Sequence, residues 1–419
     1  MSLDDLPAAV RGKAAWAIET LASTCAEAPR IDYPGRQLAG SERAWEYVAS
    51  GASGRPVPAP DGLLDFGDGV EDVVASAFWH LSRWEERPGS PRDRHGRFPA
   101  SAALADPEQP AVDALAARFR EAVGAAPADR PFTVALTHDI DVPVRWSGPR
   151  AFAGAAARAR SAATARRSSE LAAELRGLAA APLHRLRGSD PNWSFARMHE
   201  LEAARGARST HFVMAGHTHP ADGPDYDRAR AAVVSQVLGQ GDELALHPSY
   251  EASRRPELLD EQRSHLEALA GAPVGGVRFH YLRHDTHQTL PLLAARGFAY
   301  DSSQGFADRP GLRAGFSHPY RPYDLAADRA LDLVELPLAV MDATLAEERY
   351  LNLDASAGFE RAAAVLERVA AVRGTVAVLW HNDRFDRASA RGWDAAYGRL
   401  LDWVVERGGR LVSAADAVR

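Results

Sequence analysis

A single cysteine, Cys25, in 419 residues excludes an internal disulfide and any thiolate zinc cage. A metal held by this chain must therefore sit on His, Asp or Glu. Positive charge is also in short supply: 49 Lys and Arg face 56 Asp and Glu, a formal net charge of -7. That balance excludes a nucleic-acid binder held mainly through phosphates. No uncharged apolar run is long enough to span a bilayer, which argues against stable membrane insertion. The 33 Gly and 27 Pro follow no triplet period, so a collagen-like chain is excluded. The opening, Met1-Ser2-Leu3-Asp4-Asp5-Leu6-Pro7, is acidic where a signal peptide is basic, and the expected location is the cytoplasm. What remains, 46% hydrophobic, 25% charged and 8% aromatic, is a globular composition. At about 150 residues per domain it fits two or three domains.

The texture of the chain divides it near Pro131. Residues 1–130 read as a small mixed α+β domain, with a helix over 73–84 (VVASAFWHLSRW) and another over 110–123. Between them lies a charged, turn-rich loop, Arg92 to Pro99, read as solvated surface rather than as an anion site. From 131 to 419 strands alternate with helices. Strands are expected at 132–137, 209–214, 243–246, 276–279, 331–340, 376–380 and 410–412. Helices are expected at 195–205, 229–238, 257–269, 288–297, 359–372 and 395–407. This βα rhythm predicts a parallel sheet or barrel. An Ala-rich stretch at about 150–188 interrupts it, with seven Arg (158, 160, 166, 167, 176, 185, 187) against Glu170 and Glu174. It reads as a helical insertion. It is read as a solvated helical arm or lid because its apolar moment is weak, with a basic face for an anionic substrate or headgroup as the alternative.

Polar residues cluster where the apolar strands end. Thr137-His138-Asp139-Ile140-Asp141 closes the first; Asp139 and Asp141, two apart, share one side of an extended chain. Two carboxylates so placed repel unless a cation or a proton lies between them. Glu243-Leu244-Ala245-Leu246-His247 delivers a histidine, Arg278 and His280 share a face in the next strand, and Val376 to Trp380 ends in His381. The carboxyl edge of a parallel sheet is where α/β folds build active sites. Second-tier candidates are His217, His219, His284, His287, Arg313, His318, Tyr320 and Trp193. Of these, His284 and His287 read as surface residues, and His138 should face away from the acidic pair.

In this order the motifs resemble the polysaccharide deacetylase family, the NodB-homology enzymes of carbohydrate esterase family 4, over about 131 to 419. The matching segments are Thr137 to Asp141, Glu243 to Tyr250, Arg278 to Leu282 (in the family usually Arg-x-Pro-Tyr-Gly), Phe298 to Ser303 and Leu379 to His381. The front region looks like an uncharacterised module that precedes one bacterial branch. The resemblance implies a deformed (β/α) barrel of about seven parallel strands. It also implies one divalent metal, Zn²⁺ before Co²⁺, Ni²⁺ or Fe²⁺. By the same resemblance Asp139 is the general base, Arg278 its partner, Asp141 and His247 are metal ligands, the Tyr281 N–H binds the oxyanion and His381 protonates the leaving amine.

One departure matters. The family places a second histidine four residues after the first, and here that position is Glu251. Either Glu251 ligates, or His280 supplies the missing imidazole; His280 is preferred because zinc favours nitrogen over a second carboxylate. The implied activity is removal of an acetyl or other small acyl group from an N-acylated sugar or amino compound, with a small glycan precursor favoured over a wall polymer. The rivals are a non-catalytic glycan- or partner-binding descendant and a cyclic amide or imide hydrolase.

Overall fold

The computed structural model describes residues 3–52, 54–146, 149–164, 166, 168–187, 189–386 and 391–419. The front region packs helices α1 (Ala8–Ala22), α2 (Glu42–Ser50), α3 (Val73–Leu81) and α4 (Ala111–Val123) beside a short antiparallel ladder of Val57–Pro58 with Leu64–Asp65. Helix α3 is the hub. All 9 of its residues are buried, and its only polar side chains are Ser76 and His80. Asp72 starts it by accepting from the Ala75 N–H. Arg83, at φ 52°, ends it, so the helix expected to reach Trp84 stops at Leu81 and a 3-10 turn follows at Trp84–Glu86.

The rest of the chain builds one parallel sheet. Its strands are β1 (Thr133–Ile140), β2 (Thr210–Met214), β3 (Glu243–His247), β4 (Gly276–Val277), β5 (Tyr300–Asp301), β6 (Val334–Glu335), β7 (Leu338–Met341), β8 (Thr375–Leu379) and β9 (Arg410–Val412). The order is β6-β5-β4-β3-β2-β1-β8-β7. Strand β9 pairs with the start of β1 at Thr133 to Ala135, and β2 pairs with its end from Thr137 to Ile140. The two edge strands, β6 and β7, are neighbours in the chain. The edges of the sheet therefore meet in one extended segment, 334–341, which pairs with β5 on one side and β8 on the other. Pro337, with no N–H to donate, sits at the break and divides the strand expected over 331–340. The result is the expected deformed (β/α) barrel, with 9 strands in the sheet. The two-residue β5 is too short to leave a sequence pattern.

Alternation along the strands sorts the core into two layers. Val134, Leu136, Leu246, Val376 and Val378 face the surrounding helices. Ala135, Ala245 and Ala377 face the barrel interior with Phe212 and Tyr300. Small residues on the inner layer leave room there for large polar side chains. The covering helices are Phe195–Ala203, Asp227–Gly239, Pro256–Ala270, Thr286–Ala295, Ala355–Ala371 and Trp393–Glu406.

The insertion is a helical pair, Pro149–Thr164 and Ser168–Arg187, packed through Ala155, Ala181 and Trp146. Leu175, Leu183 and Leu186 are exposed on it. Of its arginines, 160, 166 and 176 are exposed, while the side chains of 158, 167, 185 and 187 lie outside the described residues. Among the described residues no helix is long and apolar enough to cross a membrane.

The front region is fastened to the barrel by buried contacts. Ala314, Phe316, Tyr320 and Tyr323 join its apolar cluster. Glu86, fully buried, accepts from Arg83 on one side and from Arg313 and Thr286 of the barrel on the other.

Candidate metal centre and catalytic site

Strand alternation carries the inner layer into the site. Thr137, Asp139 and Asp141 have the parity of Ala135, His247 that of Ala245, and His381 that of Ala377, so all point inward at the carboxyl edge. His138 has the opposite parity. It is buried outside the barrel between the Trp380 carbonyl (2.6 Å) and Glu202 (2.7 Å), facing away from the acidic pair as expected.

Asp141, His247 and His280 converge, with one ligand atom from each within 4.8 Å of the others. His247 Nε2 lies 3.2 Å from Asp141 Oδ1, and His280 Nε2 lies 3.5 Å from Asp141 Oδ2. The outer ring nitrogens fix both tautomers. His247 Nδ1 is 2.7 Å from the Arg278 carbonyl, which only accepts, so Nδ1 carries the proton. His280 Nδ1 is 3.0 Å from Asp222 Oδ1, a carboxyl held down to about 2: burial raises it, but the His280 hydrogen bond and backbone donors outweigh that. Both Nε2 atoms are thus turned toward Asp141, the orientation that hydrogen-bond partners on the far ring nitrogen impose on metal-binding imidazoles.

Two atoms at this point, Asp141 Oδ1 and His247 Nε2, are buried without a hydrogen-bond partner. A buried acceptor pair left open is costly unless a cation lies between them. The local electrostatics favour positive charge at this point. Burial alone would lower the His280 basicity, yet Asp141 and Asp222 push it up to about 9. The Asp141 carboxyl is held well below the usual range, the two imidazoles outweighing its burial. Two nitrogens and one carboxylate oxygen fit a divalent metal of the zinc type. Glu251 lies outside this group, 3.7 Å from Arg283.

Asp139 stands beside the cluster, its Oδ2 3.7 Å from His247 Nε2. Its Oδ1 accepts from Arg278 Nη1 at 3.0 Å. Arg278 is fully buried, and its remaining donors reach Thr137 Oγ1 (2.8 Å), the Ser302 carbonyl (2.8 Å) and Ser302 Oγ (2.9 Å). Its guanidinium also lies 4.2 Å over the Phe212 ring. Across the pocket, His381 Nε2 is 3.8 Å from Asp141 Oδ2, and its Nδ1 is 2.6 Å from Asp342 Oδ1. Burial lowers the His381 basicity, but Asp342 more than offsets this and lifts it to about 10. Arg384 holds the other Asp342 oxygen at 2.9 Å.

Tyr281 and Leu282 follow His280 at φ 61° and 53°, two consecutive non-glycine residues in the left-handed region. The Tyr281 carbonyl accepts from Arg97 of the front region at 2.9 Å. The loop read as solvated surface therefore reaches the site: Arg97 is buried and lines the pocket with Asp139, Asp141, His280, Tyr281 and His381.

The second-tier residues mostly have structural duties. His284 and His287, expected at the surface, are buried or nearly so between barrel and front region, where His287 Nε2 meets the Arg83 carbonyl at 3.1 Å. Burial, chiefly, drops the His284 basicity to about 3. Arg313 pairs with Glu86, His318 lies 3.8 Å from Asp113, and Tyr320 is core, so none of the three stands free for a ligand. His217 faces Asp225 (3.1 Å), His219 stacks on Tyr250 (4.5 Å between rings) and Trp193 packs on Phe195. Three residues of the site escaped the sequence: Asp342, Asp222 and Arg97. Asp342 follows a strand directly and obeys the strand-end pattern that found the others. Asp222 and Arg97 lie in loops with no such signal.

A family of unknown function, DUF7033, matches residues 60–125. No curated protein matches the chain. Among solved structures the chain is similar to a protein named as a polysaccharide deacetylase from Mycobacterium smegmatis, at 18% identity and TM-score 0.46, covering 70% of this chain and 91% of that one. It is similar to Puue allantoinase at 16% identity and TM-score 0.41, covering 53% and 70%. A CE4-family pseudoenzyme from Bacillus anthracis matches at 12% identity and TM-score 0.33, covering 69% and 66%.

Proposed function

We propose that this chain is a metal-dependent amide hydrolase that removes an acetyl or other small acyl group from an N-acylated sugar or amino compound, its catalytic domain being 131–419. The observation that carries the reading is a pair of imidazole Nε2 atoms converging on one carboxylate, with Asp139 on Arg278 to one side and His381 on Asp342 to the other.

Asp141, His247 and His280 would hold the divalent cation, Zn²⁺ by the chemistry of the donor set. When bound, it supplies a Lewis acid that polarises a carbonyl and acidifies water. Asp139, paired with Arg278, takes the water's proton at its carboxylate as attack proceeds. The Tyr281 N–H offers a donor to charge growing on the carbonyl oxygen. His381 gives its Nε2 proton to the leaving amine, which departs poorly as an anion. Asp342 turns that nitrogen into the pocket by holding Nδ1.

The test is metal per chain by mass spectrometry on protein purified without chelator, together with acetate release from N-acetylhexosamine derivatives. Wild type should carry near-stoichiometric metal, Glu251→Ala should keep it and His280→Ala should lose it. Asp139→Asn should keep the metal and lose turnover by roughly 10²–10⁴-fold. A wild type that takes up no Zn²⁺, Co²⁺, Ni²⁺ or Fe²⁺ overturns the hydrolase and leaves the binding descendant.

A further inference from the structure

His280 is presented by an awkward turn. Tyr281 and Leu282, both with bulky side chains, lie at φ 61° and 53° in succession. Such residues pay a steric penalty that persists only where neighbours over-determine the backbone. The barrel supplies part of that constraint. The Pro248 carbonyl accepts from His280 N–H at 3.3 Å and the Phe279 carbonyl from Leu282 N–H at 2.8 Å. Both bonds flank Tyr281 and leave its own carbonyl to be held from elsewhere.

The front region holds it. Arg97 Nη1 donates to the Tyr281 carbonyl at 2.9 Å, and the His95 ring lies 4.7 Å from the Tyr281 ring. The His95 carbonyl accepts from Arg283 at 3.0 Å, just beyond the turn, and His95 Nδ1 meets Tyr250 Oη at 3.0 Å. Arg97 is itself braced. Asp93 takes its Nε at 2.8 Å, and the same carboxylate accepts the backbone N–H of His95 and of Arg97. The loop is therefore preformed, and its contacts fall on both sides of the strained turn.

From this we infer that the front region works as the clasp of the site: the loop around Arg97 keeps Tyr281 and Leu282 in their left-handed course, so that His280 Nε2 stays on Asp141. Arg97 is a positioning residue for the metal ligand. A module that otherwise shares only scaffold contacts with the barrel thereby acquires a function. The inference rests on reading His280 as a ligand.

The experiment is Zn²⁺ affinity of the full chain by competition with a chromogenic chelator, with the thermal midpoint measured on each protein. Arg97→Ala should weaken Zn²⁺ about 10- to 100-fold, the range for loss of a partner that orients a ligand. Arg97→Lys, which keeps one donor and loses the fork, should recover part of it. His95→Ala, which leaves the Asp93-centred turn intact, should weaken it in the same direction and serves if Arg97→Ala fails to fold. Arg118→Ala, on the exposed front surface beside Asp61 and Glu71, should leave the affinity unchanged. Tight wild-type binding with unaltered affinity in Arg97→Ala and His95→Ala overturns the clasp. A wild type that binds no Zn²⁺ overturns the ligand assignment instead.

Discussion

Asp342 decides what His381 can do. By taking Nδ1 at 2.6 Å it leaves Nε2 facing the pocket, and it lifts the imidazole to about 10 despite burial. A histidine so placed carries its proton at neutral pH, as the proposed acid role requires, whereas Asp139 beside Arg278 is the proposed base. The two roles separate experimentally because an activated ester has a leaving group that needs no proton. His381→Ala should cut kcat/KM for an N-acetylhexosamine by roughly 10²–10⁴-fold and for 4-nitrophenyl acetate by much less. Asp342→Asn should show the same bias at smaller amplitude, since the imidazole stays in place with a lowered basicity. Equal losses on both substrates would remove the acid role from His381.

Among the elements, strands explain most of what the sequence made visible. Strands β1, β3 and β8 each present a polar residue of inward parity at or just past their carboxyl end, so period-two alternation points to Asp139, Asp141, His247 and His381. The choice of His280 over Glu251 followed from ligand chemistry, and the turn after β4 sets the two residues apart: His280 faces Asp141 while Glu251 faces Arg283. Leu282 was harder to read. It stands where the resembled motif has Gly, and its φ of 53° is the conformation Gly would adopt freely. What compensates for it comes from a loop some 180 residues earlier, and no local pattern reports a contact made only in the folded chain. The same holds for the end of α3. Glu86 accepts from Arg83 at 2.8 Å, Arg313 at 2.6 Å and Thr286 at 2.8 Å, joining front region to barrel. Glu86→Ala would leave the buried Arg313 guanidinium without its carboxylate and Arg83 with Glu85 alone, at 3.0 Å, and a loss of about 3–5 kcal/mol is expected in urea unfolding. A loss below about 1 kcal/mol would mean that water replaces the carboxylate there.

For the whole molecule, the junction of front region and barrel couples stability to pH through Asp113, in the first turn of α4. The carboxyl accepts from the Ser317 N–H at 3.1 Å, and the nearest basic side chain is His318, at 3.8 Å. His318 is of no help as a cation, since burial, chiefly, drops it to about 4. Burial, only partly offset by the Ser317 donors and the charge of Arg120, pushes the Asp113 carboxyl up from 3.8 to about 7. Between those values the folded chain keeps a proton that the unfolded chain releases. Rising pH therefore favours unfolding across that window and has no further effect through this group above it. Asp113→Asn cannot ionise and keeps the shape and an acceptor for the Ser317 N–H. Its stability relative to wild type should be flat below about pH 4, climb through the window and level off above about pH 7, with a ceiling of about 4 kcal/mol. Urea midpoints for both proteins from pH 4 to 8 check this. A difference that stays constant over that range would mean that Asp113 ionises in the folded chain as readily as in the unfolded one, with the junction open to water at α4.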